Sequence, residues 1–78
     1  MFIPVSVLSY HKMDGSIEPL KFIYNNKKYS CGELITVTDN HYAGNHVKIF
    51  KFKKGKKMYE LHFEMSTGKW YLNPMCNK

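Results

Sequence analysis

The segment His46–Leu72, HVKIFKFKKGKKMYELHFEMSTGKWYL, decides the fold. Its apolar residues repeat with period two, the spacing that sends successive side chains to opposite faces of a strand. Phe50 and Phe52 share one face of a first strand, with Val47, Ile49, Lys51 and Lys53 on the other. Tyr59, Leu61, Phe63 and Met65 share a face of a second, backed by Met58, Glu60, His62 and Glu64. Trp70 and Leu72 fall together on a third, with Tyr71 behind them. Lys54-Gly55 reads as a two-residue turn, because glycine supplies the positive φ that tight hairpins need. That turn pairs Lys53 with Lys56 and sets Phe50 opposite Tyr59. Thr67-Gly68 likewise pairs Met65 with Trp70 and Phe63 with Leu72. Both turns bring the three aromatic faces to one side, and a one-residue slip at either would turn one strand's apolar set to water.

Working outward, the net positive charge lies in this segment and the residues that follow it. The chain's formal charge of +6 is carried by lysine alone. Residues 1–45 balance Lys12, Lys21, Lys27 and Lys28 against Asp14, Glu18, Glu33 and Asp39. Residues 46–78 set eight lysines against Glu60 and Glu64, so the whole excess lies there. Of those lysines, Lys51, Lys53, Lys54, Lys56 and Lys57 gather at one hairpin, with Lys48 and Lys69 within reach of the same lobe.

The preceding residues read as further strands. Ile3, Val5 and Val7 alternate with Phe2, Ser6, Leu8 and Tyr10, and Pro4, which cannot donate to a ladder, places the start of this strand at a sheet edge. Asp14-Gly15 is a turn. Leu20, Phe22 and Tyr24 share a face of the next strand, which Asn25-Asn26 ends. Lys27–Ser30 returns with Tyr29 inward. Gly32 interrupts the chain, with at most one helical turn around Cys31–Leu34. Leu34–Thr38 is a β-branched strand, continued irregularly to Tyr42, and Ala43-Gly44-Asn45 turns back. Six to seven short strands at this spacing predict an all-β fold, a small antiparallel barrel or strongly curved sheet. An SH3-like barrel is the first expectation and an OB-like barrel the second. Closure is favoured because it removes exposed edges.

With 78 residues the chain has room for one domain, assigned to residues 1–74, with a disordered tail at 75–78. A chain this short buries only roughly 60–65% of its unfolded surface, and the rings that make up 15% of its residues compensate. No apolar run approaches the ~20 residues of a membrane helix. The N-terminus lacks the basic region and cleavage site of a secretory signal. Cys31 and Cys76 lie far apart with no metal-binding spacing. They read as thiols of a cytoplasmic protein.

Pro4-Val5 near the start, Phe22 ahead of the Tyr29 strand, Ala43-Gly44-Asn45, Tyr59-Glu60-Leu61 and Lys69-Trp70-Tyr71-Leu72 together resemble a group of small uncharacterised β-proteins. These occur in clostridial and related low-GC Gram-positive bacteria, partly on mobile elements. The closing Trp-Tyr-Leu strand and the Phe/Tyr pair are more faintly similar to an uncharacterised domain found with Y-family DNA polymerases. The shared positions are packing residues, so the resemblance implies a fold and an accessory role on a mobile element, with no catalytic residues to carry over. A basic Arg often follows the Ala-Gly-Asn turn in the group, and His46 stands there in this chain.

Catalysis needs a nucleophile or an acid–base pair held in a partly dry site. Glu60 and Glu64 lie roughly 13 Å apart along an extended strand, too far to share a proton. No Ser-His-Asp order and no Gly-rich phosphate loop is present, so neither an enzyme nor a small-molecule substrate is expected. His41 and His46 flank a turn and could approach Cys31 or His11. Without three or four converging ligands, no metal and no cofactor is expected. Two functions stay open. A protein partner or self-association would use the apolar strip Val47, Ile49, Met58 and Tyr71, rimmed by charge. Contact with DNA or RNA, tolerant of sequence, would use Lys51, Lys53, Lys54, Lys56, Lys57 and Lys69 on phosphates, with Tyr10, Tyr42 and Tyr71 as exposed rings. The lack of Arg removes the side chain best shaped for bidentate recognition.

Overall fold

A computed structural model describes residues 2–74, the side chain of Tyr42 excepted, so the assignment of 75–78 as a tail lies outside the described residues. Seven strands follow one another: β1 (Ile3–His11), β2 (Ile17–Tyr24), β3 (Lys27–Ser30), β4 (Glu33–Tyr42), β5 (Asn45–Lys54), β6 (Lys57–Glu64) and β7 (Lys69–Pro74). They form one antiparallel sheet in the order β3-β2-β1-β7-β6-β5-β4, strongly curled into a half-barrel. The described residues contain no helix. Closure is incomplete: β3 and β4 remain as two edges.

The inner face is built as the alternation requires. Phe22, Cys31, Phe50, Phe52, Tyr59, Leu61, Trp70 and Leu72 are buried, and Ile3, Val5, Val7, Ile17, Tyr24, Tyr29 and Phe63 pack against them. Trp70 stacks on Phe63 at 4.6 Å between ring centres and meets Phe50 at 5.6 Å. Both hairpins differ from the expected register by two residues. The first turn is Gly55-Lys56, so Lys54 faces Lys57, Phe52 faces Tyr59 and Phe50 faces Leu61. Gly55, at φ +63°, takes the first central position, where a type II′ turn needs glycine. The second turn spans Met65–Gly68 and pairs Phe63 with Trp70. The Glu64 carbonyl accepts the Gly68 N–H at 2.8 Å and its carboxylate accepts the Thr67 hydroxyl at 2.6 Å, which draws the turn one pair earlier. Met65 is thereby exposed instead of inward. A shift of two keeps every other side chain on its expected face, because the side-chain period is two.

β1 lies inside the strand order, but its start is open on one side, as Pro4 requires. Ile3–Val5 pair with β7, while Ser6–His11 pair with β2. Pro4 sits where only β7 is opposite, so its missing N–H costs no ladder bond toward β2. Handing β1 from one neighbour to the other displaces the β2–β3 hairpin along the sheet and lets it fold over the inner face. A bulge sharpens this bend. Leu8 faces Lys21 and Ser9 faces Pro19, leaving Leu20 unpaired. Leu20 is therefore exposed and Pro19 buried, against the expectation that Leu20 shares a face with Phe22. The freed geometry is used: the Leu20 carbonyl accepts the Cys31 N–H at 3.0 Å.

Cys31-Gly32 then carries the chain from one sheet edge to the other. The Tyr59 hydroxyl donates to the Cys31 carbonyl, and Lys54 Nζ donates to the Ser30 carbonyl at 3.1 Å. Burial pushes the Cys31 thiol up to about 11, so it stays protonated at neutral pH.

Candidate functional site

The six lysines proposed for nucleic-acid contact do not share one surface. Lys51 and Lys53 stand on the outer face, in register with Glu60 and Met58. Lys54 and Lys57 take the inner-face parity of Phe52 and Tyr59, and Lys56 lies in the turn between them. Lys69 pairs with Glu64, seven strand residues from Lys57, which is roughly 23 Å along β6. Lys48 is also on the inner face, where its Nζ lies 3.5 Å from Asp39. Of the three proposed surface rings, Tyr10 is 58% exposed, Tyr71 is half-buried, and the Tyr42 side chain lies outside the described residues.

The apolar strip is brought together in part. Ile49 faces His62, which faces Tyr71, and Val47 lies one row along. These residues line a shallow outer depression of about 440 Å³. Phe2 closes one side, its ring edge-on to His62 at 4.8 Å. Met58 does not join them; it lines a separate cleft at the other end of the hairpin. Phe2 and His62 were not legible as members, since nothing local links the N-terminus to β6.

Glu60 and Glu64 have structural partners. Glu60 Oε1 accepts from His62 at 3.0 Å and from Asn73 at 3.1 Å. Burial pushes the Glu60 carboxyl up, but these two hydrogen bonds and nearby Lys51 outweigh it and hold it below its usual value. A depressed folded-state value contributes stability above the unfolded value and loses it as pH falls through the folded one. The melting temperature is therefore expected to fall more steeply below about pH 4.3 in the wild type than in Glu60→Gln. Equal slopes in thermal melts between neutral and acid pH would remove Glu60 from that role. His46 bonds Asp39 at 2.8 Å and stacks on His41 at 4.3 Å, whereas Cys31 is buried and His11 meets Ser9. Among the described residues, no three His, Cys, Asp or Glu converge as a metal site.

Two features that the sequence did not single out are better formed. The first is the cleft between the β2–β3 hairpin and the tip of the β5–β6 hairpin, about 700 Å³ in volume. Phe22, Tyr24 and Tyr29 line it from one side, Lys54, Lys57 and Tyr59 from the other, with Leu72 and Pro74 below. Phe22 stacks on Tyr29 at 5.3 Å and meets Tyr59 at 5.6 Å, so the wall is continuous aromatic surface.

The second is the edge strand β4. Residues 33–39 are exposed on both faces, including Leu34, Ile35 and Val37 at 42–44%. Ile35 is the extra residue of a second bulge, between the Leu34–Phe52 and Thr36–Lys51 pairs. Tyr42 and Asn45 close the two-residue turn as a hydrogen-bonded pair, so by alternation Val37, Asp39 and His41 offer their backbone groups to the open edge. No helix among the described residues is long and apolar enough to cross a membrane. No family model, curated protein or solved structure matches the chain.

Proposed function

We propose that the protein is a non-enzymatic, cytoplasmic interaction module that takes up an extended protein segment along the free edge of β4. The accessory role on a mobile element follows from the resemblance carried by its packing residues. The contrast between the two sheet edges supports the binding mode. β3 is only four residues long and bears Lys27 and Lys28, the short, charged form in which natural edges are blunted. β4 is ten residues long and contains neither lysine nor proline. Its exposed Leu34, Ile35 and Val37 stand beside unpaired backbone groups, the combination that strand addition uses for affinity and side-chain selection. The outer depression beside Val47 and Ile49 adjoins this edge through Asn40, which pairs with Val47.

Either a second copy or a different protein can supply the segment. Sedimentation velocity from low to high micromolar concentration, with capture from host lysate, tests both. Val37→Pro removes one edge donor without touching the β5 ladder, and Ile35→Lys adds a guard charge at the bulge. Both variants are expected to keep the wild-type melting temperature within a few degrees and to lose the dimer or the captured protein. A monomeric wild type that captures nothing, or capture unchanged in both variants, would end the proposal.

A further inference from the structure

We propose that the cleft between the β2–β3 hairpin and the β5–β6 tip binds single-stranded nucleic acid, its bases lying against Tyr24 and Tyr29 and its phosphates meeting Lys54 and Lys57. The site is separate from β4 and from the outer-face lysines. Its volume of about 700 Å³ is in the range of pockets that hold small ligands. Phe22 and Tyr59 are buried and committed to the core, but Tyr24 and Tyr29 are only half-buried and keep ring surface toward the opening. Aromatic faces of this kind stack any base.

Charge selects the ligand. No acidic residue lines the cleft among the described residues, while Lys54 and Lys57 stand on its rim. Lys57 has no ion-pair partner among the described residues, and Lys54 spends one donor on the Ser30 carbonyl. Lys27 and Lys28 extend positive charge along β3. An anionic aliphatic chain would fit less well, since among the described residues Leu72 and Met58 are the only aliphatic walls besides Pro74. A duplex keeps its bases stacked inside and cannot offer them to the tyrosines. Single strands supply both parts, an open π-face and a repeating phosphate.

Fluorescence anisotropy with a labelled oligothymidylate at ~50 mM salt is the test, since phosphate contacts strengthen as salt falls. The wild type is expected to bind it, and to bind a duplex of the same length more weakly. Tyr24→Leu should lower affinity about tenfold through lost stacking. Lys57→Glu should also weaken binding and reduce the salt slope by about one. Lys69→Glu, at the far end of the sheet, should leave affinity nearly unchanged, as should Val37→Pro on the β4 edge. Absence of binding, equal losses from Lys57→Glu and Lys69→Glu, full displacement by laurate, or a duplex bound as tightly as the single strand would each overturn the site. Tyr29→Leu serves as a second ring variant if Tyr24→Leu fails to fold.

Discussion

Phe50→Ala is expected to cost about 3–5 kcal/mol and to shift the urea midpoint far below that of the wild type. Phe50 is 1% exposed and faces Leu61, which is fully buried; on its other side it faces Val37, and its ring meets that of Trp70 at 5.6 Å. The cavity left by its ring cannot collapse easily, because these neighbours belong to three different strands of one sheet. A domain of 78 residues has roughly 4–12 kcal/mol in total, at about 0.05–0.15 kcal/mol per residue, so a loss of this size is a large share of it. Val37→Ala in the same cross-strand row should cost under about 1 kcal/mol, since Val37 is 44% exposed at the edge. Urea unfolding followed by tryptophan fluorescence measures both. A loss below about 1 kcal/mol for Phe50→Ala would show that the core is not centred there.

Gly32→Ala is the second large effect, for a different reason. Gly32 has φ +85°, a conformation that side chains rarely adopt, at a cost of about 1–3 kcal/mol. Its added Cβ would also lie 2.9 Å from the Lys53 carbonyl oxygen, a backbone atom that cannot move aside without disturbing β5. Gly44 is the control, with φ +84° and nothing within 4 Å of the same added atom. The conformational cost is therefore nearly common to both substitutions. Gly32→Ala is expected to lose at least about 1 kcal/mol more than Gly44→Ala, the lower end of the cost of overpacking. Equal losses would mean that the Cys31-Gly32 link can lift from β5, and the cleft beside it would then be poorly held as well.

The sequence carried the strands and faces of the Phe50–Leu72 region because periodicity is local information. Phe50, Leu61 and Trp70 point inward in the structure as their spacing requires. The displaced turns show the limit of the same signal. Alternation settles register only to a multiple of two, and the choice between Lys54-Gly55 and Gly55-Lys56 rests on turn geometry. Leu20 went astray because a bulge inverts the alternation, and nothing in the pattern Leu20, Phe22, Tyr24 marks it. The lysine lobe is a true feature of composition, yet neighbours in sequence take opposite faces of a strand. Lys53 and Lys54 therefore part company, and Lys69 closes the opposite end of the sheet.

What the sequence determined by itself is the all-β character, the inward set of rings and the confinement of positive charge to the second half. These depend on residue type and on spacing over a few positions. Tertiary structure alone decided that the sheet stops short of closure, that β4 is a long open edge, and that Tyr24 and Tyr29 face Lys54 and Lys57 across a cleft. Each of these depends on where β1 passes from one neighbour to the other and on the two-residue link at Cys31-Gly32. Such contacts join residues about 30 apart in the chain, and a pattern that repeats every second residue holds no record of them.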